Sequence, residues 1–241
     1  MNLSLNVLVR AALTTLRISI PTVIDGQRGT IDPRVCDDRL FRWSAALLQQ
    51  IDLEFDVEGS EHIQPGQSYV VMSNHQSLYD IPALYQSLKC RIRMVAKKEL
   101  FYVPVWAQAM RAAGFVELDR RDRARAIQSL GRAEQALRSG TNIWIAPEGT
   151  RSKTGALGSF KKGGFYLALN TGTPILPVSI DGTHQVLPAK GWRVHNGATV
   201  RVTVSEPVDP TAFGHDRRDD LVAAVRDAIG RHLRREASSR P

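Results

Sequence analysis

The chain has 241 residues, 43% of them hydrophobic, with a formal net charge of +8 and two cysteines. That length and apolar content suit one domain with a full core and a small appendage, while Cys36 and Cys90 exclude a disulfide framework and a cysteine metal site and fit a reducing compartment. The basic balance points to a polyanionic partner, whether nucleic acid, an anionic membrane surface or a phosphorylated substrate.

No secretory signal with a small-residue cleavage site is evident at the N-terminus. Residues Asn2 to Ile20 follow a helical period, with Asn2, Asn6, Arg10, Thr14 and Arg17 on one narrow polar stripe. The rest of that circumference is largely apolar, which suits a helix lying in the plane of a bilayer interface with its arginines reaching to the headgroups. A helix packed on its own domain is the plainer alternative. No uncharged apolar stretch of about twenty residues exists, so no membrane-spanning helix is expected. A loop with Pro21, Gly26, Gly29 and Pro33 follows. Asp37 or Asp38 then caps a second helix that carries Leu40, Trp43, Leu47 and Ile51 on one face.

From Leu53 onward the periods alternate between two and 3.6. Strands are predicted at Leu53–Val57, Tyr69–Met72, Ile92–Ala96, Phe115–Leu118, Asn142–Ala146, Pro174–Ile180 and Ala198–Val204. Between them the spacing predicts helices after Asp80, through Trp106 and Met110, over Ala126–Leu137 and over Gly163–Asn170. A final basic helix is predicted with Leu221, Val225, Ile229 and Leu233 on its core face. The expected fold is therefore α/β, with a largely parallel central sheet flanked by helices. Residues 1–52 form an N-terminal amphipathic two-helix unit and residues 53–241 the α/β domain.

Three of these strands run into polar clusters: Asn74-His75, Asp119-Arg120, and Glu148 to Arg151. Lys97 adds a fourth. In an open parallel sheet such ends share one edge, where ligands bind. His75 and Asp80 are five residues apart, roughly 140° on a continuous helix, so they meet only if His75 lies in a loop that folds back. Asp80 in the first turn would then orient a proton-accepting imidazole. His215 has the same spacing to Asp220 but follows no strand, and reads as a solvated helix start. Arginine forks and a lysine beside a histidine base suit a phosphorylated molecule that loses a proton near its phosphate. No Gly-x-Ser-x-Gly elbow, phosphate-binding loop, dinucleotide fingerprint or paired metal-ligand spacing is present, so no metal or cofactor is expected. Aromatic residues sit in apolar periods rather than as a stacking platform, which argues against nucleic acid.

Asn74-His75-x4-Asp80, Gly114 to Arg120, Pro147-Glu148-Gly149-Thr150-Arg151-Ser152 and Pro174 to Ile180 together resemble the four blocks of the glycerolipid acyltransferases. The likeness is nearest to the 1-acylglycerol-3-phosphate O-acyltransferases and covers roughly residues 55 to 210. It departs at Ala146, where phenylalanine is common, and at Glu117, where an apolar residue is usual. The resemblance implies transfer of a fatty acyl group from acyl-CoA or acyl carrier protein to the free hydroxyl of 1-acylglycerol-3-phosphate, giving phosphatidate. His75 would be the general base and Asp80 its orienter. Lys97, Arg120 and Arg151 would hold the acceptor phosphate, and Glu148, Gly149 and Thr150 would shape the acceptor site. Backbone N–H groups near the first block would meet the oxyanion. It also implies a peripheral, monotopic protein on the cytoplasmic face of an anionic membrane, with a lysophospholipid and an acyl thioester as partners. Two alternatives stay open: an acyltransferase for another lysolipid or for glycerol 3-phosphate, and a non-catalytic basic module binding membranes or nucleic acid.

Overall fold

The computed structural model describes residues 3–119 and 121–233. Asn2, at the head of the expected polar stripe, and Arg120, an expected substrate ligand, lie outside the described residues. Seven strands form one sheet: β1 (Leu53–Glu58), β2 (Val70–Ser73), β3 (Ile92–Lys97), β4 (Val116–Leu118), β5 (Asn142–Ile145), β6 (Ile175–Asp181) and β7 (Ala198–Val204). Their order across the sheet is β1-β7-β6-β2-β5-β3-β4. β6, β2, β5, β3 and β4 are mutually parallel, β7 runs antiparallel to β6, and β1 is parallel to β7. The C-terminal ends of β2, β5, β3 and β4 therefore share one edge, as the strand-end clusters require.

Successive residues of β2 face opposite sides, and all four of its residues are buried. Val71 packs with Trp144 and Leu176 on one face, and Val70 and Met72 pack with Ile143, Phe165 and Ile175 on the other. Burial on both faces explains the unbroken apolar run before His75. On the first face lie α1 (Leu3–Gln27), α2 (Pro33–Leu48), α3 (Asp80–Leu88), α4 (Trp106–Ala112) and the short α7 (Thr183–Val186). The second face is covered by α5 (Arg123–Arg138), α6 (Gly163–Thr171) and α8 (Arg218–Gly230). Leu221, Val225 and Ile229 of α8 are fully buried, as their spacing predicts.

The N-terminal region differs from expectation in three ways. α1 does not end before Pro21 but runs through it to Gln27. Proline removes one backbone donor, but the tertiary contacts of α1 hold the helix: Trp43 Nε1 donates to Thr15 Oγ1 at 3.0 Å, and Gln50 Nε2 to Thr14 Oγ1 at 2.9 Å. A Cβ on Gly26 would stand 2.9 Å from Ala112 Cβ, so the helix end approaches α4 closely at a glycine. Consequently Leu5–Gln27 is long and apolar enough to cross a membrane by length and composition, contrary to the length expected from the sequence. The cap of α2 is Asp32 rather than Asp37 or Asp38. Its carboxylate accepts from Arg34 N at 2.8 Å, ahead of Pro33 in the first turn. Asp37 lies inside the helix, paired with Arg91 and Arg93.

Candidate active site

β2 leaves the sheet at Asn74, whose side chain continues the pairing with β6: Nδ2 donates to Ile180 O at 2.7 Å and Oδ1 accepts from Ile180 N at 2.8 Å. His75 follows on the loop, and α3 begins at Asp80. The loop folds back, bringing His75 Nδ1 to 2.6 Å from Asp80 Oδ2. The same oxygen accepts from Gln76 N at 2.7 Å and Ser77 N at 2.9 Å, and Oδ1 accepts from Thr183 Oγ1 at 2.5 Å. A carboxylate that accepts three protein donors besides the ring is anionic, so Nδ1 carries the proton and Nε2 is left as the acceptor. The imidazole side chain is 19% exposed, that of Asp80 0%. Trp144 packs edge-on to the ring, with centroids 5.9 Å apart.

The loop after β5 is bound to His75 at two points. Glu148 Oε1 accepts from His75 N at 2.9 Å, and Ser152 N donates to His75 O at 2.7 Å. Glu148 Oε2 accepts from Gly158 N at 2.7 Å. Burial pushes the Glu148 carboxyl above its usual range, and the two backbone donors pull it back. The amides of His75, Gln76 and Ser77 are all engaged by carboxylates, so these three are not the backbone donors expected to meet the oxyanion.

Gly149 takes φ +74° between Glu148 and the exposed Thr150, and Arg151 is half-buried. Among the described residues Arg151 and Lys97 have no carboxylate partner. Lys97 ends β3 with an exposed side chain. Its neighbour Lys98 ties β3 to β4 through Asp119 at 2.7 Å; this contact, with Arg121 N, holds Asp119 below the usual carboxylate range. From β2 the ends of β3 and β4 are two and three ladders away, about 10 and 14 Å, within reach of long cationic side chains across a glycerophosphate. A recess of about 580 Å³ opens beside these ends, lined by Leu118, Ile145, Glu148, Gly149, Thr150 and Lys161. A larger hollow of about 1250 Å³, lined by Glu58, His62, Arg226 and Arg231, holds none of the strand-end residues.

The structure thus joins His75, Asp80, Glu148 and the backbone N–H of Ser152 into one hydrogen-bonded group, with Gly149, Thr150 and Arg151 on the loop between the last two and Lys97 further along the same edge. Sequence reading missed Thr183 and Gln76. The signal for Thr183 is the Gly182-Thr183 pair at the end of β6, where Gly182 has φ +90° and a Cβ would stand 2.0 Å from Thr199 O.

A family model described as Acyltransferase matches residues 54–181. The chloroplastic 1-acyl-sn-glycerol-3-phosphate acyltransferase BAT2 of Brassica napus is 36% identical over 154 residues, covering 64% of this chain and 44% of that protein. The 1-acyl-sn-glycerol-3-phosphate acyltransferase of Haemophilus influenzae is 29% identical over 165 residues, 68% of each chain. The chain thus spans less than half the length of the plant relative. Among solved structures, the 1-acyl-sn-glycerophosphate (LPA) acyltransferase PlsC of Thermotoga maritima superposes with a TM-score of 0.80 at 28% identity, over 95% of this chain and 92% of that one. The matched span contains β1 to β6 with the His75–Asp80 pair and the loop that braces it, and the chain belongs to the acyltransferase family.

Proposed function

We propose that the protein transfers a fatty acyl group from an acyl thioester, carried on CoA or on acyl carrier protein, to the free hydroxyl of 1-acylglycerol-3-phosphate, forming phosphatidate. The observation that carries this reading is the 2.6 Å contact between His75 Nδ1 and Asp80 Oδ2 on the edge where the Glu148–Arg151 loop is bonded to His75. Nε2 takes the hydroxyl proton while Asp80 steadies the imidazolium. The alkoxide attacks the thioester carbonyl, forming the C–O bond. The C–S bond then breaks, and the departing thiolate receives the proton from His75. No acyl-enzyme is needed. Arg151, Lys97 and Arg120 bind the acceptor phosphate, and fixing both substrates supplies several kcal/mol by proximity alone. Glu148 serves by holding the His75 backbone, since both its oxygens face amide donors, while Gly149 and Thr150 shape the acceptor site.

Residues 1–52 are proposed to seat the enzyme on the cytoplasmic face of an anionic membrane, lying on the surface rather than crossing it. Leu5, Val9, Leu13, Leu16, Ile20 and Ile24 form an exposed apolar stripe along α1. On the other side, Thr22 accepts from Arg39 at 3.2 Å and Asp25 pairs with Arg39 at 2.7 Å, which supports a helix docked along α2.

Incubation of the protein with lysophosphatidate and acyl-CoA tests the activity, with phosphatidate read by mass spectrometry. His75→Ala is expected to lower turnover by about 10²–10⁴-fold. Undiminished turnover in that variant, or consumption of a different acceptor in preference, overturns the assignment.

A further inference from the structure

We propose that Thr183 is a positioning residue: its hydroxyl fixes the Asp80 carboxylate, and through it the aim of the His75 ring. This rests on the acyltransfer reading of the site. Asp80 is fully buried, and its two oxygens are unequally served. Oδ2 is held by groups of its own loop, namely the His75 ring and the amides of Gln76 and Ser77. Oδ1 meets one donor among the described residues, Thr183 Oγ1 at 2.5 Å, which comes from 103 positions further along the chain. Thr183 is therefore the side chain that pins the carboxylate to the sheet. Without it Oδ1 is left buried with no donor among the described residues, and the carboxylate rests on the contacts of its own loop alone.

The placement of Thr183 is forced by its surroundings. β6 turns at Gly182, where the positive φ and the 2.0 Å approach of a Cβ to Thr199 O admit only glycine. That turn buries Thr183 to 1% exposure at the start of α7. Its single hydroxyl hydrogen has two acceptors in range, Asp80 Oδ1 and, at 3.4 Å, Gln76 Oε1. The shorter contact to an anionic acceptor takes it. Gln76 is provided for separately, by His184 Nδ1 at 3.1 Å and through its own donation to Gly155 O at 3.0 Å. The hydroxyl thus acts on Asp80 alone, while Lys97 at the end of β3 and Arg151 in the loop after β5 lie on other segments.

The test compares Thr183→Val, which keeps the shape, with Thr183→Ser, which keeps the hydroxyl, using full-length protein, lysophosphatidate and acyl-CoA. Displaced general bases lose on the order of 10²-fold in rate. Thr183→Val is expected to lose about that in kcat with both KM values unchanged, and Thr183→Ser to retain most of it. Packing alone predicts the reverse order, Val active and Ser impaired, and that result overturns the proposal. Thr183→Ala, which leaves room around Oδ1, repeats the comparison should the valine variant not fold by circular dichroism; wild-type kcat in it overturns the proposal equally. Asp80→Asn with Thr183→Val should be no slower than Asp80→Asn alone, because both act through one carboxylate; an additive loss counts against it. Wild-type protein that makes no phosphatidate, or His75→Ala that makes it at the wild-type rate, removes the acyltransfer reading and this proposal with it. A normal wild type and His75→Ala beside a fully active Thr183→Val sinks Thr183 alone.

Discussion

At the scale of single residues, the site is a set of carboxylates turned toward amides. Asp80 gathers two backbone N–H groups and a ring, and Glu148 gathers the amides of His75 and Gly158. A hydrogen bond to a charged acceptor contributes about 1.5–3 kcal/mol, so Glu148→Gln, which offers one oxygen where two are used, is expected to lower kcat/KM by about 10- to 100-fold. The variant also reports on pH. Burial raises the Glu148 pKa in the folded protein, so the folded state holds that proton more tightly than the unfolded chain. Stability from this group is present below the unfolded value, near 4, and is lost as pH rises through the raised folded value. The urea midpoint of Glu148→Gln should therefore gain on wild type over the window in which pH rises from the usual glutamate value through the raised one. A constant difference across that window would mean that the carboxyl is not perturbed.

At the scale of elements, turns decide where side chains arrive. Gly182 joins β6 to α7 with φ +90° against Thr199 O. An alanine there carries the cost of a left-handed conformation, of order 1–3 kcal/mol, together with a clash that the backbone must relieve. Gly182→Ala should lower the melting temperature by several degrees and reduce turnover along with it, because Thr183 moves with the turn. Unchanged melting and kinetics would show that β7 yields. The loop after β5 is braced comparably from α8. Arg226 donates to Gly158 O and to Leu157 O and lies 5.4 Å from the Phe160 ring centroid, holding the segment whose amide meets Glu148.

At the scale of the whole molecule, the sheet brings its functional ends to one edge, and α1 adds an apolar stripe beside the domain. Leu13 and Ile20 are 60% and 49% exposed, and replacing both with glutamate removes apolar contact and adds negative charge to a face proposed to meet an anionic surface. The double variant should lose co-sedimentation with vesicles containing anionic lipid while still acylating a short-chain acceptor in solution. Vesicle binding equal to wild type would place the membrane contact elsewhere.

Hydrophobic period and punctuation along the chain were enough to place the strands, all the longer helices of the α/β part and the His75–Asp80 loop, because each is set by neighbours a few residues apart. Leu221, Val225 and Ile229 show this in α8, as do the unbroken Val70 to Met72 run in β2 and the glycine closing α5. The tertiary structure alone decided the distant partners of the buried polar side chains. Glu148 reaches His75 across 73 positions, Thr183 reaches Asp80 across 103, and Asn74 stitches to Ile180 across 106. Contacts at such separations leave no local period to read. For the same reason α1 passes through Pro21: the side-chain contacts that dock it come from Trp43, Gln50 and Arg39 of the following segment, and such partners outweigh a proline's local cost.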